Sequence, residues 1–208
     1  MCRGAGHCLT REILVDYQSD MASVHQDISQ NVSGTFSRAM GRDVAGELVS
    51  VSSSALPEFA DSLPEASFVW RYVIWERWDE EREAACGKHG VAFFDFDMPL
   101  VAALLGVSSI SDWPLIDGDE NYKKVAPTMR QFIEDLEGAW GSVAGTGNRC
   151  ITDIALRTYP RTIMLGVSDD AVVVAKIGMA WDGGNGMLSF CYPTPFLSAM
   201  LPSYSPGG

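Results

Sequence analysis

Three histidines, five cysteines and one acidic run are the residues of this 208-residue chain whose chemistry could serve catalysis or metal binding. His7, His25 and His89 lie in unrelated contexts, and no G-x-S-x-G turn offers any of them a serine nucleophile. The H-E-x-x-H spacing of zinc peptidases is absent. His25 stands among polar residues of an expected helix and His89 in a glycine-flanked loop, so both are expected at the surface. Cys2, Cys8, Cys86, Cys150 and Cys191 are scattered without CxxC spacing, which reads as reduced thiols rather than a zinc or redox motif. Cys2, His7 and Cys8 supply three ligand types on a terminus expected to fray, too little for a metal site. The run Asp79-Glu80-Glu81-Arg82-Glu83 fits neither a calcium loop nor a paired-carboxylate site, and reads as a solvated loop.

Glycine-rich phosphate loops fail on order. Gly145-Thr146-Gly147 follows a helix instead of opening one, with no Lys-Ser/Thr pair after it, and Gly183 to Gly186 joins two strands. Both read as turns that use glycine's positive φ. Trp70, Trp75 and Trp140 fall on apolar strand and helix positions and are expected in the core. The sequence therefore predicts no catalytic residue, no metal and no cofactor.

Charge narrows the partners. Fifteen basic against 27 acidic side chains give a formal net charge of −12. Such a surface repels polyanions, so nucleic acid is excluded as a partner, and anionic lipid is little better. Partners with basic patches remain open. Met1 to Arg11 lacks the apolar core of a signal peptide. The longest apolar stretch, Val91 to Val107, is broken by Asp95 and Asp97. No membrane insertion is expected, and the chain reads as soluble and cytoplasmic.

The elements that must carry any function follow from periodicity. Met21, Val24, Ile28, Val32, Phe36 and Ala39 recur at helical steps, predicting a helix from about Asp20 to Met40, stopped by Gly41. Val44–Val51 reads as a strand, Pro57–Leu63 as a short helix, and the aromatic Ser67–Trp75 as a strand. Glu76–Glu83 followed by Gly87–Gly90 reads as an exposed connection to a partner strand at Val91–Phe96, with a helix over Pro99–Leu105. The order then repeats. Tyr122–Val143 carries Val125, Met129, Phe132, Leu136, Trp140 and Val143 on one stripe, and Ala144–Asn148 is a turn. Strands follow at Cys150–Tyr159, Ala171–Trp181 and Met187–Tyr192, the last two joined by a tight turn over Asp182–Gly186. A short helix closes the series at Pro195–Leu201.

Part of this repetition is visible residue by residue. Gly90–Leu105 aligns with Gly186–Leu201 at an offset of 96, with five of sixteen positions identical. Phe36 and Phe132 share that offset within the two long helices. Two similar halves, each helix, three strands, helix, predict a pseudo-two-fold-symmetric α/β domain with one shared sheet. Its expected extent is residues 17–201, between a flexible segment at 1–16 and a short polar tail at 202–208.

Collected in order, these segments resemble the middle-domain family of the flagellar motor switch protein FliM, which has the CheC-like fold. The resemblance runs from about residue 20 to 201. It rests on G-E-L-V-S-V (Gly46–Val51) with P-E-F-A-D-S-L-P (Pro57–Pro64), F-D-F-D-M-P-L-V-A-A-L (Phe94–Leu104), F-I-E-D-L-E-G-A-W (Phe132–Trp140), D-D-A-V-V-V (Asp169–Val174) and G-M-L-S-F-C-Y-P (Gly186–Pro193).

The resemblance implies a non-catalytic component of the flagellar switch ring, at the cytoplasmic face of the inner membrane. It would bind FliG, FliN and neighbouring FliM-like copies and help set rotation direction in chemotaxis. The family's G-G-x-G loop, central to FliG contact, falls on Ile110-Ser111-Asp112-Trp113, where both outer glycines are replaced and Gly106 is the glycine close by. Gly106, Ile110, Ser111, Asp112 and Trp113 are thus the implied partner-facing loop. Of the family's CheY-binding peptide, Leu9–Leu14 keeps only Glu12-Ile13, so CheY does not carry over as a partner. The family's FliN-like domain has no counterpart before Gly208. CheC-type phosphatases of the same fold carry Glu and, three residues on, Asn; here Glu134 meets Glu137, Glu137 meets Trp140, and Asn31 follows Ile28. A degenerate CheC-type phosphatase and a type III secretion sorting-platform subunit are the alternatives.

Overall fold

The stripe Met21, Val24, Ile28, Val32 and Phe36 is buried along its length, and the helix that carries it, α1, spans Leu9–Met40. It starts well before Asp20, so Leu9–Ser19 are helical backbone where no helix was expected. In this computed structural model, residues 9–64, 68–81, 83–108, 120–142, 149–157 and 171–201 are described. The expected turn at Ala144–Asn148, the end of the strand at Thr158–Tyr159 and the tail from Pro202 lie outside them. The remaining elements are β1 (Val44–Ala55), α2 (Leu56–Ser62), β2 (Phe68–Asp79), β3 (Ala84–Phe96), α3 (Met98–Leu105), α4 (Glu120–Ser142), β4 (Cys150–Arg157), β5 (Ala171–Trp181), β6 (Gly184–Pro193) and α5 (Thr194–Met200). No helix among them is long and apolar enough to cross a membrane.

The six strands form one sheet in the order β1-β5-β6-β3-β2-β4, with every neighbouring pair antiparallel. Exchanging β1 with β4, β2 with β5 and β3 with β6 turns this order into its own reverse, which is what a two-fold axis through the sheet centre requires. The central ladder confirms it. Phe94 of β3 pairs with Phe190 of β6, its own counterpart at the offset of 96, and Phe93↔Cys191 and Asp95↔Ser189 follow on either side. Above this point Phe36 of α1 stacks on Phe132 of α4, another pair of counterparts, with ring centroids 6.1 Å apart and planes 10° apart. The predicted pseudo-symmetric α/β architecture is therefore present, and the first half carries α2 between β1 and β2.

Side-chain alternation sorts the sheet into two faces. Phe68, Trp70, Tyr72 and Ile74 of β2, Ala92, Phe94 and Phe96 of β3, and Leu188, Phe190 and Tyr192 of β6 face α1, α3, α4 and α5, forming the main core. The other face carries a smaller core in which Leu56, Phe59 and Ala60 of α2 pack on Val69, Phe93, Val172, Val174 and Cys191. Trp70 and Trp140 are buried as expected, and Trp75 is half-buried, its indole N–H donating to Thr152 Oγ1 at 3.1 Å.

One connection differs from expectation. β2 and β3 continue as a two-stranded ribbon through Arg77↔Cys86 and Asp79↔Ala84, so Gly87–Gly90 belong to a strand and the connection is confined between Asp79 and Ala84. A ribbon satisfies its backbone donors and acceptors within itself and needs no apolar run to persist. The register shift between Trp75 and Arg77 sits beside Gly87, whose φ of 89° suits glycine.

The aligned glycines Gly90 and Gly186 do one job twice. A Cβ on Gly90 would lie 2.8 Å from Phe196 Cα of α5, and one on Gly186 would lie 2.9 Å from Leu100 Cβ of α3. Each lets the helix that ends its half lie directly on a strand. Gly138, on the exposed side of α4, meets nothing within 4 Å. Gly90→Ala is therefore expected to lower stability by about 1–3 kcal/mol, and Gly138→Ala to raise it by about 0.5–1 kcal/mol. Urea unfolding midpoints of the two variants check both signs.

Candidate protein interface

The segment that leads to the implied partner-facing loop is built from Asp97 onward. One carboxylate oxygen of Asp97 accepts from Leu100 N at 2.9 Å, capping α3, and the other accepts from Met187 N at 2.7 Å, fixing the helix start to β6. The intervening Met98-Pro99 places proline in the first turn, where its missing N–H costs nothing. α3 is apolar throughout, with Leu100, Val101, Ala102 and Leu105 buried. It ends at Gly106 in the left-handed conformation, φ 70°. There Gly106 N–H reaches Ala103 O at 3.1 Å and Val107 N–H reaches Ala102 O at 3.0 Å. Gly106, Val107 and Ser108 emerge exposed, Val107 with 42% of its surface open. Of the five loop residues the structure describes Gly106; Ile110, Ser111, Asp112 and Trp113 lie outside the described residues.

The counterpart helix ends differently. α5 has no glycine at its C-terminus, and Leu201 continues in extended conformation. Arg149, itself buried, donates to Met200 O at 3.3 Å through Nη2, and its Nη1 lies 3.4 Å from Met200 Sδ. A cation on the last carbonyls of a helix is favourable, and here it occupies the end of α5 that corresponds to the open end of α3. Sequence reading passed over both Arg149 and Asp97. Asp97 carried a signal, an Asp two residues before a proline at a strand-to-helix junction; Arg149, between a turn and a strand, carried none.

Of the helical positions Ile28, Asn31, Glu134, Glu137 and Trp140, three are held within the structure and two are exposed. Glu137 accepts from Ile151 N at 2.5 Å, joining α4 to β4, and Trp140 and Ile28 are buried. Glu134 and Asn31 are exposed on α4 and α1. Thr35, nearly buried, donates to Asp135 Oδ2 at 2.6 Å and clasps the two helices together. Among the described residues no three His, Cys, Asp or Glu side chains lie together as a metal site requires.

His25 corrects the sequence reading. It is fully buried, with Nδ1 2.7 Å from Met21 O and Nε2 3.0 Å from Tyr192 Oη. The Nδ1–H tautomer donates to the carbonyl and leaves Nε2 to accept from the tyrosine. The polar neighbours misled; position 25 lies four after Met21 and three before Ile28, on the apolar stripe itself. Burial lowers its pKa from 6.5 to about 4, so the ring is neutral at pH 7. Tyr72 Oη and Trp140 Nε1 are buried in the same core without a hydrogen bond of adequate geometry. His89 lies in β3 opposite Trp75, not in a loop.

Asp95 is the second buried titratable group. It lies on the α2 side of the central ladder, 4% exposed, with Oδ1 unpartnered. Burial first, and the nearby Asp97 charge second, raise its pKa from 3.8 to about 7.

No protein-family model matches the sequence, and no curated protein is significantly similar to it. Solved structures are similar in fold. The FliM middle domain from H. pylori superposes with a TM-score of 0.65 at 19% identity, covering 91% of this chain and 97% of that one. A chain of the FliG–FliM complex from H. pylori gives 0.66 at 18% identity, covering 91% and 97%. Thermotoga maritima FliY gives 0.65 at 14% identity, covering 89% and 93%. The chain has the fold of the FliM middle domain over 91% of its length.

The two buried groups give opposite pH dependences. Between about pH 6.5 and 4 the unfolded chain protonates His25 while the native state does not, so this term lowers stability as pH falls, by about 3 kcal/mol in all. Between about pH 3.8 and 7 native Asp95 holds a proton the unfolded chain has lost, so that term lowers stability as pH rises, by about 4 kcal/mol. Asp95→Asn is expected to be more stable than wild type by about 2–4 kcal/mol at pH 8, with the difference vanishing near pH 4. Its own stability should then fall from pH 7 to 4, exposing the His25 term. Urea unfolding across this range measures both.

Proposed function

We propose that this protein is a non-catalytic component of the flagellar motor switch, which binds FliG, FliN and neighbouring FliM-like copies at the cytoplasmic face of the inner membrane and helps set rotation direction. The observation that carries the reading is the likeness, over nearly the whole domain, to a chain solved in a FliG–FliM complex. The glycine-closed, exposed end of α3 supports it. This helix is locked at its other end to β6 by Asp97, and residues 110–113 follow in sequence. Gly106 provides the change of direction there, and Val107 adds exposed apolar surface beside the loop.

The phosphatase alternative has less to stand on. Neither long helix carries the Glu and Asn pair, and Glu137 is held by the backbone of β4. Positioning a water for attack needs groups free to hold it.

Purified protein should capture FliG or FliN from the same cell, and Val107→Glu should weaken FliG capture about tenfold, roughly the cost of desolvating one charge at a contact. Phosphorylated CheY should lose phosphate at its own rate in the presence of sub-stoichiometric protein. Failure to capture either switch protein would sink the reading, and accelerated dephosphorylation would replace it with the enzymatic one.

A further inference from the structure

A sheet with free edges offers unpaired N–H and C=O groups to any other strand, and a second copy of the same chain is the strand always at hand. In the order β1-β5-β6-β3-β2-β4 the outermost strands are β1 and β4. Both carry the same irregularity. On β1 the register steps from Leu48↔Ile177 to Ser50↔Lys176, leaving Val49 as an extra residue. On β4 it steps from Arg71↔Ala155 to Val73↔Thr152, so that Asp153 and Ile154 together stand opposite Tyr72.

These two bulges are counterparts. Leu188 of β6 and Ala92 of β3 are related by the offset of 96. Their ladder partners are Ile177 and Tyr72. The residue pairs opposite those two are Leu48-Val49 and Asp153-Ile154. The same place on each edge thus holds one residue too many, and that residue is a β-branched side chain turned outward, Val49 59% and Ile154 40% exposed.

We infer that the paired bulges close the sheet's edges to strand pairing with a second copy of this chain, so that copies associate through other surfaces. An extra residue bends the edge and breaks its ladder spacing. Exposed apolar side chains would otherwise be a liability at such an edge. The bulge recurs at both edges, at the one equivalent position, which makes geometry a barrier common to both. On β1 the barrier is a single residue. Removing Val49 leaves Gly46, Leu48, Val51 and Ser53 in unbroken alternation, so the face toward α1 is unchanged while the edge becomes regular over twelve residues less one.

The test is a Val49 deletion, a matching Ile154 deletion and a Val49→Lys substitution, each followed by circular dichroism and light scattering over a concentration series. The deletions should stay folded and show an apparent mass at least twice that of the wild type at high concentration. Adding Ser52→Lys, at an exposed edge position, should return the Val49 deletion to the wild-type mass. Val49→Lys alone, which keeps the bulge, should leave the mass as in wild type. Folded deletions of wild-type mass would overturn the inference. So would deletions that fail to fold, since the bulges would then be a requirement of the fold, and so would a wild-type oligomer dissolved by Val49→Lys, since the edge would then be a contact.

Discussion

Phe94 faces Phe190 across the central ladder while Phe36 stacks on Phe132 directly above. These four rings sit on the axis that relates the two halves. Their positions fix what lies around them: α1 and α4 must cross over the middle of the sheet, and strands must be added outward in matched pairs. Aromatic side chains suit such a point, because each buries a large area and tolerates only a few mutual geometries. Phe94 also meets Phe132 edge-on at 4.9 Å, so the ladder and the helix layer are one packing unit. Truncating any of these rings would open a cavity shared by both halves.

Around this axis the polar groups divide into those that join elements and those that the core merely tolerates. Asp97, Glu137 and Thr35 each link two elements, strand to helix or helix to helix. That accounts for a long-helix surface on which one carboxylate is spent on backbone instead of solvent. His25 and Asp95 are different, since both are kept in their neutral forms by burial. Their costs run in opposite directions over the same window, about pH 4 to 7, which levels the stability of a strongly acidic chain across mildly acidic conditions.

The sequence showed the architecture through its repetition. The 96-residue offset reappears as the register of the central ladder, and the stripes of the two long helices are buried from Met21 to Phe36 and from Val125 to Trp140, while Ala39, expected on the first, is exposed. What escaped was set by context beyond any window. His25 looked polar by its neighbours although its spacing placed it in the core. The β2–β3 ribbon continued through charged residues because ladder bonds, not hydrophobicity, sustain it. The bulge in β1 left a trace, a slip in the alternation of Val44, Gly46, Leu48 and Val51, but whether a slip means a bulge or a strand end depends on the partner strand. At the end of α3, Gly106 could be named from the sequence as a helix stop, whereas the sealing of the end of α5 by Arg149 depends on a contact between residues 51 apart.

That sealing has a geometric consequence. A body with exact two-fold symmetry has no top: anything that docks at one end finds the same seat at the other. Here one helix opens into glycine and an exposed valine while its twin is plugged by an arginine, so the duplicated plan acquires polarity. A surface that fits one end would therefore not fit the other.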